Sequence, residues 1–133
     1  MIKVVIAGSA ELQNEIQEWI RYWNNKYGYL VLDYPLIIPK ENFDELYPDV
    51  HKNFFKNILK TDVLFIANNK RGKINGYIGA ETFAELCFGL AQKLVYGKNI
   101  KLILANMPSK DVACYDEIVL WLRLGWIDEI LNY

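Results

Sequence analysis

Three short runs, each apolar except for one charged residue, constrain the fold of this chain more than any other feature. They cover residues 2–7, 62–67 and 100–105, and each is followed by glycine or asparagine. Continuous rather than alternating apolar residues are typical of strands buried on both faces of a parallel sheet. Between the runs, apolar residues recur at spacings of three and four, as at Ile16, Trp19, Ile20 and Trp23. The pattern predicts an α/β fold, with a mostly parallel sheet of four or five strands and helices on both faces.

The remaining elements follow from the same periodicities. In chain order we predict a helix directly after residue 9, a strand over 29–33, a loop over 35–44, a helix over 50–59, a helix that ends at Gly97, and a last helix over 115–124. No internal repeat or linker interrupts this alternation. The 133 residues are therefore expected to form one domain, 1–133.

Composition and charge exclude several classes of protein. Apolar residues make up 53% and charged residues 23%, which is typical of a globular chain, and a net charge of −1 argues against polymeric nucleic acid as a partner. Two cysteines and one histidine cannot build a tetrahedral Cys/His metal site within one chain, so we expect neither metal nor cofactor. Because no run reaches the length of a membrane span or resembles a secretion signal, we expect a cytoplasmic protein with no membrane partner.

Residues at the strand ends are the first candidates for ligand binding, because α/β sheets bind ligands outside the carboxyl ends of their strands. Gly8 and Ser9 lie between a strand and a helix, where backbone N–H groups can hold an anion such as phosphate. The alternative is that Ser9 only caps its helix. Asn68 ends another strand. The next loop carries three basic residues, Lys70, Arg71 and Lys73. They either form a lid over an anionic nucleotide or are simply solvated.

Glu85 is the sharpest candidate for chemistry. On a helical wheel the apolar stripe of its helix centres near Leu90, and Glu85 falls roughly opposite, on the side away from the core. The alternative is a solvated surface carboxylate. Phe88 projects on the same side, and an exposed aromatic beside a carboxylate is more usual at a pocket or subunit contact. By position alone, Asp62 is better interpreted as holding backbone amides, and His51 as a structural or surface residue.

Three segments carry a resemblance to a known family: V-V-I-A-G-S at 4–9, T-D-V-L-F-I-A-N at 61–68 and G-Y-I-G-A-E-T-F-A-E-L-C-F-G-L-A at 76–91. The chain resembles the nucleoside 2-deoxyribosyltransferase-like superfamily, which includes deoxyribosyltransferases and deoxynucleoside 5′-monophosphate N-glycosidases. The third segment is most similar to small bacterial and archaeal members with G-Y-I-G-x-x-T-x-x-E, many without an assigned substrate. The similarity covers nearly all of the chain outside residues 33–47, and it implies a Rossmann-like, flavodoxin-like fold.

The resemblance also implies an activity. In this family the glutamate at the position of Glu85 is the nucleophile, so the chain is expected to cleave the N-glycosidic bond of a nucleoside or nucleoside 5′-monophosphate through a glycosyl-Glu85 intermediate. Water or another base then resolves that intermediate. Asp62 would orient the sugar or protonate the leaving base, and Tyr77 or Phe88 would stack on the base. The chain departs from the family at Gly79, a substrate-binding position where the transferases carry aspartate and the monophosphate hydrolases serine.

Two other classes of function fit the same sequence. A non-catalytic nucleotide-binding or sensing module would keep the anion site at Gly8 and Ser9 and would not need Glu85, and a plain structural or interaction domain would need neither.

Members of the family commonly complete each site with a neighbouring subunit, so we expect a homodimer or larger oligomer. Three C-terminal aromatic residues are the candidates for its interface: Trp121, Trp126 and Tyr133. The base, the sugar, the phosphorylation state and the choice between transfer and hydrolysis stay open.

Overall fold

The apolar runs form strands of a single sheet. The computed structural model describes all residues from Met1 to Tyr133. In chain order the elements are β1 (Ile2–Ala7), α1 (Gln13–Asn24), β2 (Tyr29–Asp33), α2 (Phe43–Lys60), β3 (Val63–Ile66), α3 (Ala80–Tyr96), β4 (Lys101–Asn106), α4 (Tyr115–Arg123) and β5 (Glu129–Asn132). A 3₁₀ turn over Lys40–Asn42 leads directly into α2. No helix combines the length and the apolar composition that a membrane span requires.

The sheet has the strand order β2-β1-β3-β4-β5, and every neighbouring pair is parallel. Crossovers between parallel strands are right-handed, so the reversal of direction after β2 places α1 on one face and the other helices on the opposite face. The order is that of the flavodoxin-like group of Rossmann-like α/β folds. The predicted fold class is confirmed, with five strands that are all parallel. The strand order reverses between β1 and β3, which is where ligands bind in this group.

Each strand contributes alternate side chains to two hydrophobic cores. Val5 and Leu64 point toward α2, α3 and α4, whereas Val4 and Phe65 point toward α1. On the α1 face, the rings of Trp19 and Trp23 make edge-to-face contacts with the Phe65 ring, with centroid distances of 4.7 Å and 5.3 Å. Burial on both faces explains why β1, β3 and β4 are almost continuous apolar runs.

Several element boundaries differ from the predictions. Helix α1 begins at Gln13 rather than directly after Ser9, because residues 9–12 first make a turn in which the Leu12 N–H donates to the Ser9 carbonyl at 3.0 Å. No side-chain cap is present there, so Ser9 does not cap α1 in the usual way. Helix α2 begins at Phe43 and runs through Pro48, which hides its first turns from a sequence-based prediction. The half-exposed edge strand β5 has too few apolar residues to be recognised.

Helix α3 buries a different face from the predicted one. Both of its flanks are apolar because it lies between two other helices of the same layer. The Phe88 ring lies 4.8 Å from the Phe55 ring of α2, and the Phe83 ring stacks at 5.4 Å on the Trp121 ring of α4. These flanking residues shift the apolar stripe of the helical wheel away from the face that contacts the sheet.

The face of α3 that contacts the sheet carries small and polar residues. Gly89 lets the helix approach β3, since a Cβ atom at this position would lie 2.6 Å from Leu64 Cδ2. Glu85 lies one turn before Gly89 and Thr82 two turns before it on the same face, and both are buried. The expectation that Glu85 lies on the side away from the core is therefore wrong. A wheel weighted by hydrophobicity cannot identify a buried face that is itself polar.

Candidate functional site

A cavity of about 370 Å³ opens at the carboxyl ends of β1 and β2. Its walls come from residues 8–11 after β1, residues 33–36 and Ile38 after β2, the middle of α2, the loop after β3, and the first turns of α3. The volume is within the range of small-molecule sites. The cavity lies beside the point where the strand order reverses, which is the expected place for a ligand in this fold.

Glu85 forms part of the cavity wall and is almost entirely shielded from solvent. It is 5% exposed. Burial raises the pKa of its carboxyl group to about 8, and the nearby charges of Glu81 and then Asp33 add to the effect. No hydrogen bond within the chain offsets the loss of hydration. At neutral pH the free protein therefore holds Glu85 mostly as the neutral acid.

His51 of α2 faces the two glutamates of α3 across the cavity. Its Nδ1 atom is buried, lies 3.7 Å from Glu81 Oε1 and makes no hydrogen bond. The imidazole ring is held between two aromatic rings, with centroid distances of 5.1 Å to Tyr47 and 4.4 Å to Phe55. The structure thus places His51 in the wall of the cavity, in contrast to the structural or surface role expected from the sequence.

Four of the predicted substrate-binding residues lie in the same cavity wall as Glu85: Gly8, Ser9, Tyr77 and Gly79. A Cβ atom at position 8 would lie 3.2 Å from the Ala67 carbonyl oxygen, so Gly8 allows the end of β1 to lie close against the end of β3. Gly79 directly precedes α3, and a Cβ atom there would lie 3.1 Å from the Tyr77 hydroxyl. Both glycines thus allow close packing within the chain, and both are partly exposed at the cavity wall.

Three predicted site residues do not line the cavity. Asp62 directly precedes β3 and accepts a hydrogen bond from the Lys3 N–H at 2.8 Å. In a parallel sheet, residues before a strand lie at the edge opposite to residues after a strand, so the expectation that Asp62 acts beside Glu85 is wrong. Phe88 also lies outside the cavity, because its ring packs against α2.

The third of these residues, Asn68, has a structural role. It is 1% exposed, and its side-chain amide donates to the Asn106 carbonyl at 2.7 Å while its side-chain oxygen accepts from the Asn106 N–H at 3.0 Å. The Asn106 side chain donates in return to the Asn68 carbonyl at 3.0 Å. These bonds tie together the ends of β3 and β4. Because the Asn68 side chain is used in this way, it is not free to bind a substrate.

Only one residue of the basic loop reaches the cavity. Arg71 lines the wall, forms an ion pair with Glu11, and donates to the Tyr77 hydroxyl at 3.3 Å. Its guanidinium carbon also lies 5.1 Å from the centre of the Tyr77 ring. Lys70 and Lys73 are exposed and lie outside the wall. A contribution of this loop to ligand binding is thus restricted to Arg71.

Several acidic and aromatic residues of the site were not singled out from the sequence. Asp33 lines the cavity, where its carboxylate accepts hydrogen bonds at 2.8 Å from both the Asn57 side chain and the Tyr34 N–H. Tyr47 lines it too, and burial followed by the charges of Glu81 and Glu85 raises the pKa of its hydroxyl group. Asp33 and Tyr47 are the first and last residues of the segment that the family resemblance does not cover. From the sequence, only the position of Asp33 at a strand end and of Tyr47 on a helix could have indicated that they belong to the site.

The fold is that of a Rossmann-like α/β protein, and its cavity lies at the carboxyl ends of the strands, where proteins of this fold bind ligands. No protein-family model matches the chain, and no curated protein matches it. The arrangement of His51, Glu81 and Glu85 can exchange protons with a ligand, attack an electrophilic carbon, or coordinate a cation.

Proposed function

We propose that this protein cleaves the N-glycosidic bond of a nucleoside or nucleoside 5′-monophosphate, with Glu85 as the nucleophile. The observation that carries the proposal is the burial of the Glu85 carboxyl group, without a hydrogen-bond partner, in the wall of a cavity of suitable size. Burying an unpaired carboxyl group is costly, and groups with strongly perturbed pKa values cluster at functional sites. The resemblance of residues 76–91 to a family with a glutamate nucleophile supports the same assignment.

In the proposed reaction a Glu85 oxygen forms a bond to the anomeric carbon while the bond from that carbon to the base breaks. The bonding electrons leave with the base, which takes up a proton. Water or a second base then attacks the anomeric carbon and releases the Glu85 carboxylate. The sugar acquires positive charge in the transition state, which favours the ionised carboxylate in a cavity of low dielectric constant.

The proton for the leaving base requires a donor inside the cavity. Asp62 cannot supply it, because it lies at the other edge of the sheet. His51 and Glu81 are titratable groups close to Glu85, and one polar atom from each of the three residues lies within 4.8 Å of the others. We assign to this pair the transfer of the proton from Glu85 to the leaving base, so that loss of the proton from the nucleophile and protonation of the leaving group occur together.

The cavity also contains groups suited to the rest of a nucleotide. Tyr77 presents an aromatic ring on which a base can stack. The Tyr47 ring also lines the cavity but is already stacked between Phe43 and His51, so it offers its hydroxyl group rather than a ring face. Gly79 has no side chain to contact a phosphate group, whereas Arg71 and the backbone at Gly8 and Ser9 offer donors on the same wall. A nucleoside 5′-monophosphate is therefore the substrate that we favour.

One observation favours a second candidate, the non-catalytic nucleotide-binding or sensing module. With a pKa of about 8, Glu85 is mostly protonated at neutral pH, and a neutral carboxyl group is a hydrogen-bond donor rather than a nucleophile. In a binding module that proton would contact an acceptor on the base. The two candidates differ in whether a ligand loses its base.

Incubation of the protein with a panel of nucleosides and 5′-monophosphates, with and without an acceptor base, tests the proposal. Chromatography should detect free base with the wild-type protein. Glu85→Gln should lower its rate of release at least about 10⁴-fold, because the substitution removes the nucleophile and keeps the shape. Asp62→Asn is the matched control and should release base at the wild-type rate. Binding of a nucleotide without base release by the wild type would support the binding module instead.

We also retain a homo-oligomer in the cytoplasm as part of the proposal. Trp121 is buried against Phe83 and is not available to an interface. Trp126 is partly buried and Tyr133 is exposed, so these two stay candidates. Further exposed apolar side chains lie beside the cavity, before and on α2: Leu36, Ile37, Phe43, Leu46 and Val50. A second subunit that covers them would extend the cavity wall. Light scattering should report at least a dimer, and an active monomer of 15.5 kDa would contradict this part of the proposal.

A further inference from the structure

The cavity brings together three side chains that can ligate a metal ion. Glu81 and Glu85 are one turn apart on the same face of α3, and His51 of the neighbouring helix α2 faces them. One ligand atom from each of the three residues lies within 4.8 Å of the others. We propose that His51, Glu81 and Glu85 bind a divalent first-row transition-metal ion such as Mn²⁺, Co²⁺ or Zn²⁺.

Two polar groups at this place have no partner in the chain, and both belong to the proposed ligands. The Glu85 side chain is 5% exposed and accepts no hydrogen bond from the chain. The His51 Nδ1 atom is buried and likewise makes no hydrogen bond. Buried polar atoms are normally paired. The buried His51 Nδ1 atom and the Glu85 carboxyl group, which lines the cavity, both lack a partner in the chain, and together they indicate a ligand that satisfies both. A cation satisfies both atoms and also neutralises the adjacent Glu81.

The distances require only a small adjustment. Ligand atoms about 2.0–2.2 Å from a common metal ion lie roughly 3–3.5 Å from one another in tetrahedral or cis-octahedral geometry. The longest separation of 4.8 Å must therefore shorten by about 1–2 Å. The Glu81 side chain is 59% exposed and is free to move, whereas His51 is held by the rings on either side. Three protein ligands leave coordination positions open to water.

The donor set selects the class of metal. One imidazole nitrogen and two carboxylate oxygens suit Mn²⁺, Co²⁺ and Zn²⁺, whereas Mg²⁺ and Ca²⁺ prefer oxygen ligands alone. Neither Cys87 nor Cys114 lines the cavity, so no thiolate is available to favour a softer ion. We expected no metal ion because the sequence cannot form a tetrahedral site of cysteine and histidine ligands. That argument does not apply to a site formed by one histidine and two glutamates.

The metal site goes beyond the proposed reaction and opposes it. The cation would coordinate the Glu85 carboxylate, which could then no longer attack the anomeric carbon. It would also coordinate His51 and Glu81, the pair assigned to proton transfer. A bound metal ion should therefore inhibit base release by competing with the substrate. Metal binding can be measured without any substrate, so failure of the metal proposal and failure of the glycosidase proposal are distinguishable.

Titration of the tag-free, metal-stripped chain with Co²⁺, followed by visible absorption, tests the site directly. We expect one Co²⁺ per chain with ligand-field bands of nitrogen and oxygen ligation. Glu85→Gln and His51→Phe should each lower the affinity at least about 10-fold, since each removes one ligand and keeps a similar shape. Glu45→Gln, an exposed carboxylate of α2 outside the cavity, is the matched control and should leave the affinity unchanged.

The single histidine provides a second measurement that needs no variant. Substoichiometric Mn²⁺ should broaden the imidazole resonances of His51 in the wild-type chain, and they are the only imidazole resonances in its NMR spectrum. Three results would overturn the proposal. They are the absence of Co²⁺ binding at millimolar concentration, binding that both ligand substitutions leave intact, and a thiolate charge-transfer band that assigns the ion to cysteine.

Discussion

Two acidic residues at opposite edges of the sheet, Asp62 and Glu85, differ in whether the chain supplies a hydrogen bond to their carboxyl groups. At the edge where the strands begin, the Asp62 carboxylate accepts a hydrogen bond from the Lys3 N–H at 2.8 Å, and the Asp62 N–H donates to the Lys3 carbonyl at 3.0 Å. At the edge where the strands end, the Glu85 carboxyl group is buried with no such partner. Asp62 thus links β1 to β3, whereas Glu85 is left available to a ligand.

The neighbours of the two residues extend the contrast. Beside Asp62, the Thr61 hydroxyl lies 2.9 Å from the Lys3 carbonyl and 2.8 Å from the Val63 carbonyl, so hydrogen bonds within the chain satisfy the polar groups at this edge. Beside Glu85, the His51 Nδ1 atom is also unpaired. The polar groups around Asp62 are therefore satisfied within the chain, whereas His51 and Glu85 leave polar groups that a ligand can pair with. Three experiments test this contrast.

The largest effect should be on the pH dependence of stability. The pKa of Glu85 rises from 4.5 to about 8 on folding, so the folded state binds this proton more tightly. The stabilisation is complete below pH 4.5 and is lost as pH rises through 8, by up to roughly 5 kcal/mol. Urea denaturation from pH 5 to 9 should show this fall for the wild type and not for Glu85→Gln, which should be the more stable protein at pH 9.

Glu18→Gln, an exposed carboxylate of α1, is the control for that comparison. It should follow the wild-type dependence at every pH, because its carboxyl group is exposed in both states. Parallel curves for the wild type and Glu85→Gln would show that Glu85 is not a buried, unpaired acid.

An intermediate effect should come from the basic loop. Arg71→Gln removes the only guanidinium in the cavity wall and should weaken binding of a nucleoside 5′-monophosphate about 10-fold more than binding of the nucleoside. The preference of the wild type for the monophosphate should decline with added salt. Isothermal titration calorimetry measures both affinities. Lys70→Gln and Lys73→Gln are the controls, and an equal loss with either would show that the loop acts through general charge.

The smallest effect should be that of Asp62→Asn. The amide oxygen still accepts the Lys3 N–H bond but carries no charge, so the free energy of unfolding should fall by about 0.5–1 kcal/mol. Base release should stay within about twofold of the wild type, as expected for a substitution away from the cavity. Loss of activity with unchanged stability would reverse the roles of the two carboxylates.

The sequence was sufficient to predict the sheet. The apolar runs at 2–7 and 62–67 form strands that are buried on both faces. Burial on both faces makes adjacent residues apolar, so such a strand can be recognised from a few consecutive residues. The edge strand β5 and the first turns of α2 were missed. Strand β5 is only half-buried, so its residues do not form an apolar run. Proline usually interrupts a helix, so Pro48 argued against a helix that begins at Phe43.

The candidate site was predictable only in part. The strand-end rule located Gly8 and Ser9, and the family resemblance indicated Glu85, whereas the helical wheel placed Glu85 on the wrong face. His51 could not be found from the sequence, because its approach to Glu85 depends on how α2 packs against α3. That packing brings together residues 34 positions apart, and no local periodicity encodes it.

The central claim is that the unpaired Glu85 carboxyl group attacks the anomeric carbon, and the covalent intermediate is its most direct test. A nucleotide analogue with fluorine at the sugar 2-position slows breakdown of such an intermediate, so that it can be trapped. Mass spectrometry of a proteolytic digest should then show the added mass of the sugar on the peptide that contains Glu85, at up to one sugar per chain. An adduct on Glu81 or on any other residue, or stoichiometric base release with an unmodified Glu85 peptide, would contradict the account.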